Sequence, residues 1–324
     1  MTNKEAIDSA AVRLNLNNIE NSLYDSKQMF MEASGMSTTD YLMHMTDDIS
    51  NEVHEKFENM VQRRCSHEPL QHILGKAYFY GHEFIVNKNV LVPRPDTEIL
   101  VEESLKRLKG VNNAHVLDMC TGSGCIIISI FLSGMADRAV AVDYSEKALS
   151  VAKQNASLNN ADIEFIYSDL FENVSDDEIF DMIVSNPPYI ETDEIETLSD
   201  EVRLFDPMMA LDGDKDGLKF YRNITEQAAG YLKRGGWLMY EIGCSQAVAV
   251  SEIMHKNGFA EVTVIKDLSG LDRVVCSGCN FSNPYTCFSR FVGYYNVNVK
   301  LAGTGSLYTD KSRIMKHKTE RGFL

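Results

Sequence analysis

Apolar positions along the chain follow two different periods, and the change from one to the other divides it. Between residues 51 and 64 the apolar side chains Val53, Phe57, Met60 and Val61 recur every three or four positions. That spacing predicts a helix with one buried stripe. Ser37-Thr38-Thr39-Asp40 precedes Tyr41-Leu42-Met43, and hydroxyl and carboxylate groups there can accept from the unpaired N–H groups of a first helical turn. Residues 1–76 therefore read as a small helical domain. Further along, short apolar runs alternate with helical patterns. The runs are Val116-Leu117-Asp118-Met119, Ala139-Val140-Ala141-Val142, residues 163–167, residues 180–185 and Arg273-Val274-Val275. Such alternation predicts an α/β domain, its mainly parallel sheet covered by helices on both faces. No internal repeat, signal-peptide pattern or bilayer-length apolar run is read, so a cytosolic location is expected.

The chemistry is expected where these strands end, because ligands of open α/β sheets bind at the carboxyl edge. After the first strand comes Cys120-Thr121-Gly122-Ser123-Gly124, then the apolar Cys125-Ile126-Ile127. Gly122 and Gly124 allow close approach of backbone to a ligand. A dinucleotide fingerprint needs a third glycine where Ile127 stands, and the phosphate-loop Gly-Lys-Ser/Thr is absent. A pyrophosphate ligand is thus disfavoured. The second strand ends in Asp143, about twenty positions after the glycines, where one carboxylate can accept from both ribose hydroxyls. The competing reading makes Asp143 a helix N-cap ahead of residues 145–149. A nucleoside without phosphates, joined to an electrophilic carbon, describes S-adenosylmethionine. The third strand leads to Asp169 and Leu170, which its position places near an adenine; Asp169 reads equally as the cap of a short turn.

Asn186-Pro187-Pro188-Tyr189 follows the buried run at residues 180–185. Two prolines stiffen the backbone and remove two N–H groups. The Asn186 side chain adds an acceptor oxygen, and Tyr189 adds a flat apolar face with a polar tip. Together they suit a planar –NH2 group on an sp2 carbon, held through its two hydrogens by the Asn186 oxygen and the Pro187 carbonyl. Asn186, Pro187 and Tyr189 are the candidate catalytic residues, and the whole tetrapeptide is the candidate substrate site.

With these motifs assembled, the chain resembles the peptide-chain release factor glutamine N5-methyltransferases of the HemK type. The resemblance also rests on residues 68–75, residues 79–84 and Val90-Leu91-Val92-Pro93-Arg94-Pro95-Asp96-Thr97-Glu98. It continues through Glu201-Val202, Asp206-Pro207, Ala210-Leu211, Asp216-Gly217-Leu218, Tyr240-Glu241-Ile242-Gly243 and residues 266–273. It implies a Rossmann-like seven-stranded class I methyltransferase sheet with an antiparallel final strand, behind a helical recognition domain at 1–76. An interdomain hairpin at 77–93 and a catalytic domain at 94–276 complete the expected organisation. The implied reaction moves a methyl group from S-adenosylmethionine to the glutamine amide of a release factor's Gly-Gly-Gln motif, in support of translation termination. Carried over by position, Cys120, Thr121, Gly122, Ser123, Gly124, Asp143, Leu170 and Asn186 line the cofactor site, and residues 186–189 hold the amide. Cys120 stands where a glycine is common in the family, so a left-handed backbone there would be strained. Leu170 replaces an aromatic found in some members.

An adenine N6-methyltransferase could grip the same kind of amino group after base flipping, and it is the alternative reading. The net charge of −16 disfavours loose attachment to nucleic acid and favours a protein partner. Residues 277–324 carry seven Lys/Arg against two Asp/Glu, a net +5 against −21 for the rest. They read as an atypical, weakly ordered basic tail that could touch RNA or the acidic body. Cys276, Cys279, Cys287 and His317 outline a metal site without a proper second pair, so no metal is expected. Seven scattered cysteines argue for reduced thiols. His72 and His82 read as structural or surface groups. Arg94 is open to two readings: an anion contact with cofactor or phosphate, or an ion pair with Glu98 one helical turn on.

Overall fold

A computed structural model describes residues 1–279 of the chain. Five helices open it, Asn3–Leu16, Ser22–Ser34, Thr38–His44, Asn51–Cys65 and Leu70–Leu74. Ser37 caps the third through a reciprocal box with Asp40, at the start expected from sequence. Phe57 and Val61 of the predicted stripe are fully buried, with Val53 and Met60 at the margin of the same core. Phe30 holds that core together edge-on against Tyr41 and Phe57, at centroid separations of 5.8 and 5.6 Å. The helical domain is tied to the chain beyond it by a buried cation. Arg64 donates to Asp25 (2.8 Å) within its own domain and to Glu201 (3.0 Å) in the following one.

A hairpin of β1 (Lys76–Phe79) and β2 (His82–Ile85) follows. Tyr80 and Gly81 both have positive φ, 48° and 80°, which matches the twist a two-residue hairpin turn needs. Fully buried Asn155 fastens β2 to what comes later: it accepts from Ile85 N (2.6 Å) and donates to the Ile85 and Ser123 carbonyls.

The large sheet comprises β3 (His115–Met119), β4 (Arg138–Asp143), β5 (Glu164–Tyr167), β6 (Phe180–Ser185), β7 (Leu232–Glu241), β8 (Val262–Lys266) and β9 (Asp272–Gly278). Their spatial order is β5-β4-β3-β6-β7-β9-β8. Neighbours from β5 to β7 are parallel, and β9 runs antiparallel between β7 and β8. This is the seven-stranded sheet with an antiparallel last strand that the resemblance implied. Apolar residues on the two faces feed two cores: Ile183, Leu238 and Val275 belong to one, Met182, Val184, Met239 and Val274 to the other. From β3 the chain winds outward through β4 to β5, then returns to place β6 on the other side of β3. The carboxyl ends of β3 and β6 therefore flank the topological switch point, where such sheets bind ligands.

One expected boundary moves. The tail was expected to begin at 277, yet Ser277 pairs with Leu238 and Val262, and Gly278 with Trp237. The final strand was expected to end near Val275, but the neighbouring strands β7 and β8 supply partners for Ser277, and β7 for Gly278. Cys276 is buried in one core and Cys279 in the other, so the sheet's alternation sends them to opposite faces. Cys287, His317 and the rest of the expected tail lie outside the described residues. Among the described residues, no helix is long and apolar enough to cross a membrane, and no group of three or more metal-ligating side chains occurs.

Candidate active site

The first wall of the site is the turn that leaves β3. Cys120 has φ +63° and Gly122 +56°; Gly124, at +80°, opens the helix Cys125–Leu132. Left-handed backbone costs a glycine little and costs Cys120 about 1–2 kcal/mol. The strain foreseen for a cysteine at this position is therefore present. Side chains and backbone around the turn hold it in place. Thr121 N donates to Val142 O (3.0 Å), and the Thr121 hydroxyl donates to Asp118 Oδ2 (2.6 Å). Asp118 is fully buried with Oδ1 unpartnered, and desolvation pushes its carboxyl up to about 7. A Cβ on Gly124 would stand 3.0 Å from Ile128 Cδ1 and 3.3 Å from Ala152 Cβ. That glycine serves helix packing, whereas a Cβ on Gly122 would meet nothing within 4 Å.

Asp143, at the end of β4, completes the turn. Its Oδ2 accepts from Gly122 N and its Oδ1 from Ser145 N, both at 2.8 Å. Burial raises its pKa, and the Gly122, Ser145 and Tyr144 N–H groups oppose that rise. The N-cap reading of Asp143 is set aside, because Ser145 caps the helix Glu146–Leu158 and accepts from Ala148 N. Each Asp143 oxygen keeps acceptor capacity beyond its one backbone bond.

The second wall is the loop leaving β6. Pro187 and Pro188 are buried, with Asn186 and Tyr189 half-buried. The loop is braced from behind. Gln246 Nε2 donates to Tyr189 O (2.9 Å), Ile190 N to Leu211 O (3.0 Å) and Gly213 N to Ile190 O (2.8 Å). A Cβ on Gly217 would lie 2.3 Å from Tyr189 O, and one on Gly213 would lie 2.9 Å from Tyr189 Cα. Only glycine permits this approach. Burial pushes the Tyr189 hydroxyl up to about 12, so it stays neutral. Asn186 Nδ2 donates to Thr97 Oγ1 (3.4 Å), a contact that turns its carbonyl oxygen away from Thr97.

Between the two walls lies a cavity of about 580 Å³, within the usual size of small-ligand sites. Of the residues expected from sequence, Cys120, Thr121, Gly122, Ser123, Asp143, Leu170, Asn186 and Pro188 line it. Leu170 does so with φ +48°, a second strained non-glycine residue. Gly124, Pro187 and Tyr189 stand outside the lining: Gly124 packs behind the turn, and the Tyr189 ring lies against a core. Asp169 is also in the wall. The wall includes Arg94, Thr97 and Phe220, to which the sequence reading assigned no firm place. The Glu98 pairing proposed for Arg94 does not form. Arg94 donates to buried Asp206 (2.8 Å), and Glu98 accepts from Tyr80 N (2.7 Å). Desolvation raises Asp206 to about 6 despite Arg94. His72 and His82 are absent from the lining, and buried His72 has its pKa lowered by desolvation.

A doubly wound seven-stranded sheet with a strained glycine turn, a ribose-competent acid at the end of β4 and an open cavity between them defines a class I S-adenosylmethionine-dependent methyltransferase. Comparison with known proteins narrows the class. Residues 5–75 match the model of the PrmC N-terminal domain, and residues 95–203 match the methyltransferase small domain. The release factor glutamine methyltransferase of Thermodesulfovibrio yellowstonii is 43% identical over 231 residues, 70% of this chain and 82% of that protein. Its counterpart in Caulobacter vibrioides is 37% identical over 279 residues, 85% and 96% of the two chains. Among solved structures, the hMettl16 catalytic domain in complex with MAT2A 3′UTR hairpin 6 aligns with a TM-score of 0.51 at 16% identity. That alignment covers 63% of this chain and 77% of that one, and shows the fold alone. The chain belongs to the release factor glutamine methyltransferase family.

Proposed function

We propose that this protein methylates the side-chain amide nitrogen of the glutamine in the Gly-Gly-Gln motif of peptide chain release factors. The observation that carries the reading is the position of Asn186. It lines the same cavity as Gly122 and Asp143, with its amide –NH2 turned toward Thr97. An amide nitrogen is a weak nucleophile because its lone pair is delocalised. Asn186 Oδ1 accepts one of its hydrogens from the cavity wall, and the Pro187 carbonyl, just outside the lining, is the second acceptor in this reading. Fixed orientation of this kind supplies several kcal/mol of barrier reduction. The rigid prolines and the Gly213 and Gly217 brace keep both acceptors in place without any rearrangement.

S-adenosylmethionine, when bound, supplies the electrophilic methyl carbon. The cavity volume and the open space over Gly122 fit it. Cys120, Thr121, Gly122, Ser123, Asp143, Leu170 and Asn186 would hold it, Asp143 through the acceptor capacity left beyond its backbone bonds. Apolar Leu170 and Pro188 suit a reaction in which positive charge disperses. As the C–N bond forms, the methyl–sulfur bond would break to leave a neutral thioether. The amide nitrogen, still carrying both hydrogens, becomes cationic and strongly acidic; it releases one proton to water, so no histidine is required. A release factor as partner places the reaction in translation termination, in the cytoplasm. The same acceptors would suit an adenine amino group, and what supports the amide is the similarity to release factor glutamine methyltransferases.

The test is transfer of labelled methyl to a purified release factor, compared with the same factor carrying glutamate in place of the motif glutamine. Label is expected only in the glutamine form. Equal labelling of both would overturn the reading.

A further inference from the structure

Glu241 is the buried ionisable group that the reaction above leaves without a task. It ends β7 beside the end of β6, where Ser185 pairs with Tyr240, so Glu241 and Asn186 leave the sheet side by side. The residue is 2% exposed, and its Oε2 has no hydrogen-bond partner. Tyr221 donates its hydroxyl to the Glu241 main-chain oxygen (2.9 Å), which fixes the strand end. Thr97, 3% exposed, accepts from the Asn186 amide, and both side chains lie beside this carboxylate. Thr97 and Asn186 both present hydrogen-bond donors that favour the charged form of Glu241.

We infer that Glu241, together with Thr97, is a positioning residue that fixes which end of the Asn186 amide faces the substrate. The inference rests on the proposed function, because it assigns the support of that same acceptor site. An asparagine amide has nearly the same shape either way round, but its ends are opposite in polarity. Only one orientation turns the acceptor oxygen toward a substrate –NH2. An ionised carboxylate accepts and cannot donate. It draws the Thr97 hydroxyl proton toward itself, leaving the Thr97 lone pairs for Asn186 Nδ2. Turning Asn186 over would bring its oxygen against acceptors and forfeit that bond. Protonation gives Glu241 a donor of its own and removes the distinction between the two orientations.

Burial raises Glu241 to about 7, with Thr97 and then Arg273 opposing. The groups that face it are Asp96, from the turn Pro95–Thr97, which raises it further, and Arg273 of β9. Tyr189, Tyr221 and the Cys125 thiol also lie within its field, and burial keeps all three neutral. The ionised form is lost as pH falls through that value, so turnover should fall on the acid side near neutrality.

The experiment compares the full chain with Glu241→Gln, Thr97→Val and Thr97→Ser, using a release factor as methyl acceptor. Turnover at saturating cofactor is measured from pH 5.5 to 8.5, with calorimetric cofactor affinity and melting temperature alongside. Glu241→Gln and Thr97→Val should lose about tenfold to a hundredfold in kcat, with cofactor affinity within threefold of the parent. Thr97→Ser should recover most of the rate, and Glu241→Gln should lack the acid limb. Adding Glu241→Gln to Asn186→Ala should cost nothing more, because the two act as one unit. An unchanged acid limb in a folded Glu241→Gln would overturn the inference and move the titration to Asp118 or Asp206. So would normal turnover in Glu241→Gln where Asn186→Ala is inactive, and that result would leave the proposed function standing. Normal turnover in Asn186→Ala would likewise overturn the inference, by removing the role of Asn186. Failure of the parent protein to label the release factor would remove the proposed function instead.

Discussion

The two walls of the cavity are built by opposite means. The wall built by the turn after β3 and the segment after β5 relies on backbone in sparsely populated conformations: Cys120, Gly122 and Gly124 in the first and Leu170 in the second all have positive φ. The loop after β6 relies on proline-stiffened backbone and on groups packed behind it: Gln246, Gly213, Gly217 and, through Asn186, Thr97. A wall made of backbone can touch a ligand closely and tolerates varied side chains. A wall made of braced acceptors can aim one nitrogen. The first suits holding a cofactor and the second suits orienting a nucleophile, so damage to each should read out differently.

The sharpest separation comes from Asn186→Ala. It should lower kcat by about a hundredfold to a thousandfold, the usual cost of removing a preorganised polar group, while calorimetric cofactor affinity changes far less. A matching loss of both would merge the walls into one function. Gly217→Ala attacks the brace alone. With a Cβ 2.3 Å from Tyr189 O at φ +66°, it should destabilise the fold by about 1–3 kcal/mol in denaturant titration. It should also lower turnover more than cofactor binding. Asp143→Ala addresses the other wall and should weaken cofactor binding by about 1–3 kcal/mol; unchanged affinity would remove Asp143 from that role. The smallest effect is expected for Cys120→Gly. Relief of left-handed strain, less the added chain entropy of glycine, should raise stability by about 0.5–1 kcal/mol and leave turnover near the parent value. A destabilised Cys120→Gly would show that the thiol's packing outweighs its strain.

Much of this was legible in the chain because the signals are local. Strands β3, β4 and β6 are short apolar runs followed by glycine, aspartate or proline, and their ends carry the candidate residues. The strain at Cys120 could be foreseen because a glycine is usual there. What escaped depends on neighbours distant in sequence. Thr97 reaches Asn186 across 89 positions and Arg94 reaches Asp206 across 112, and no local pattern announces either contact. A spacing rule paired Arg94 with Glu98, but the hairpin occupies Glu98 through Tyr80 N. The end of β9 escaped for the same reason, since the partners that extend it past Val275 come from β7 and β8. Glu241 sits in a recognised motif, yet its burial and its neighbour Thr97 appear only once β6 and β7 are paired.

The most direct measurement offers the protein labelled S-adenosylmethionine with a release factor and duplex DNA together, then maps the modified residue by mass spectrometry. The account predicts a single methyl group on the amide nitrogen of the Gly-Gly-Gln glutamine and none on DNA. Methyladenine in the DNA, with the glutamine unmodified, would contradict it.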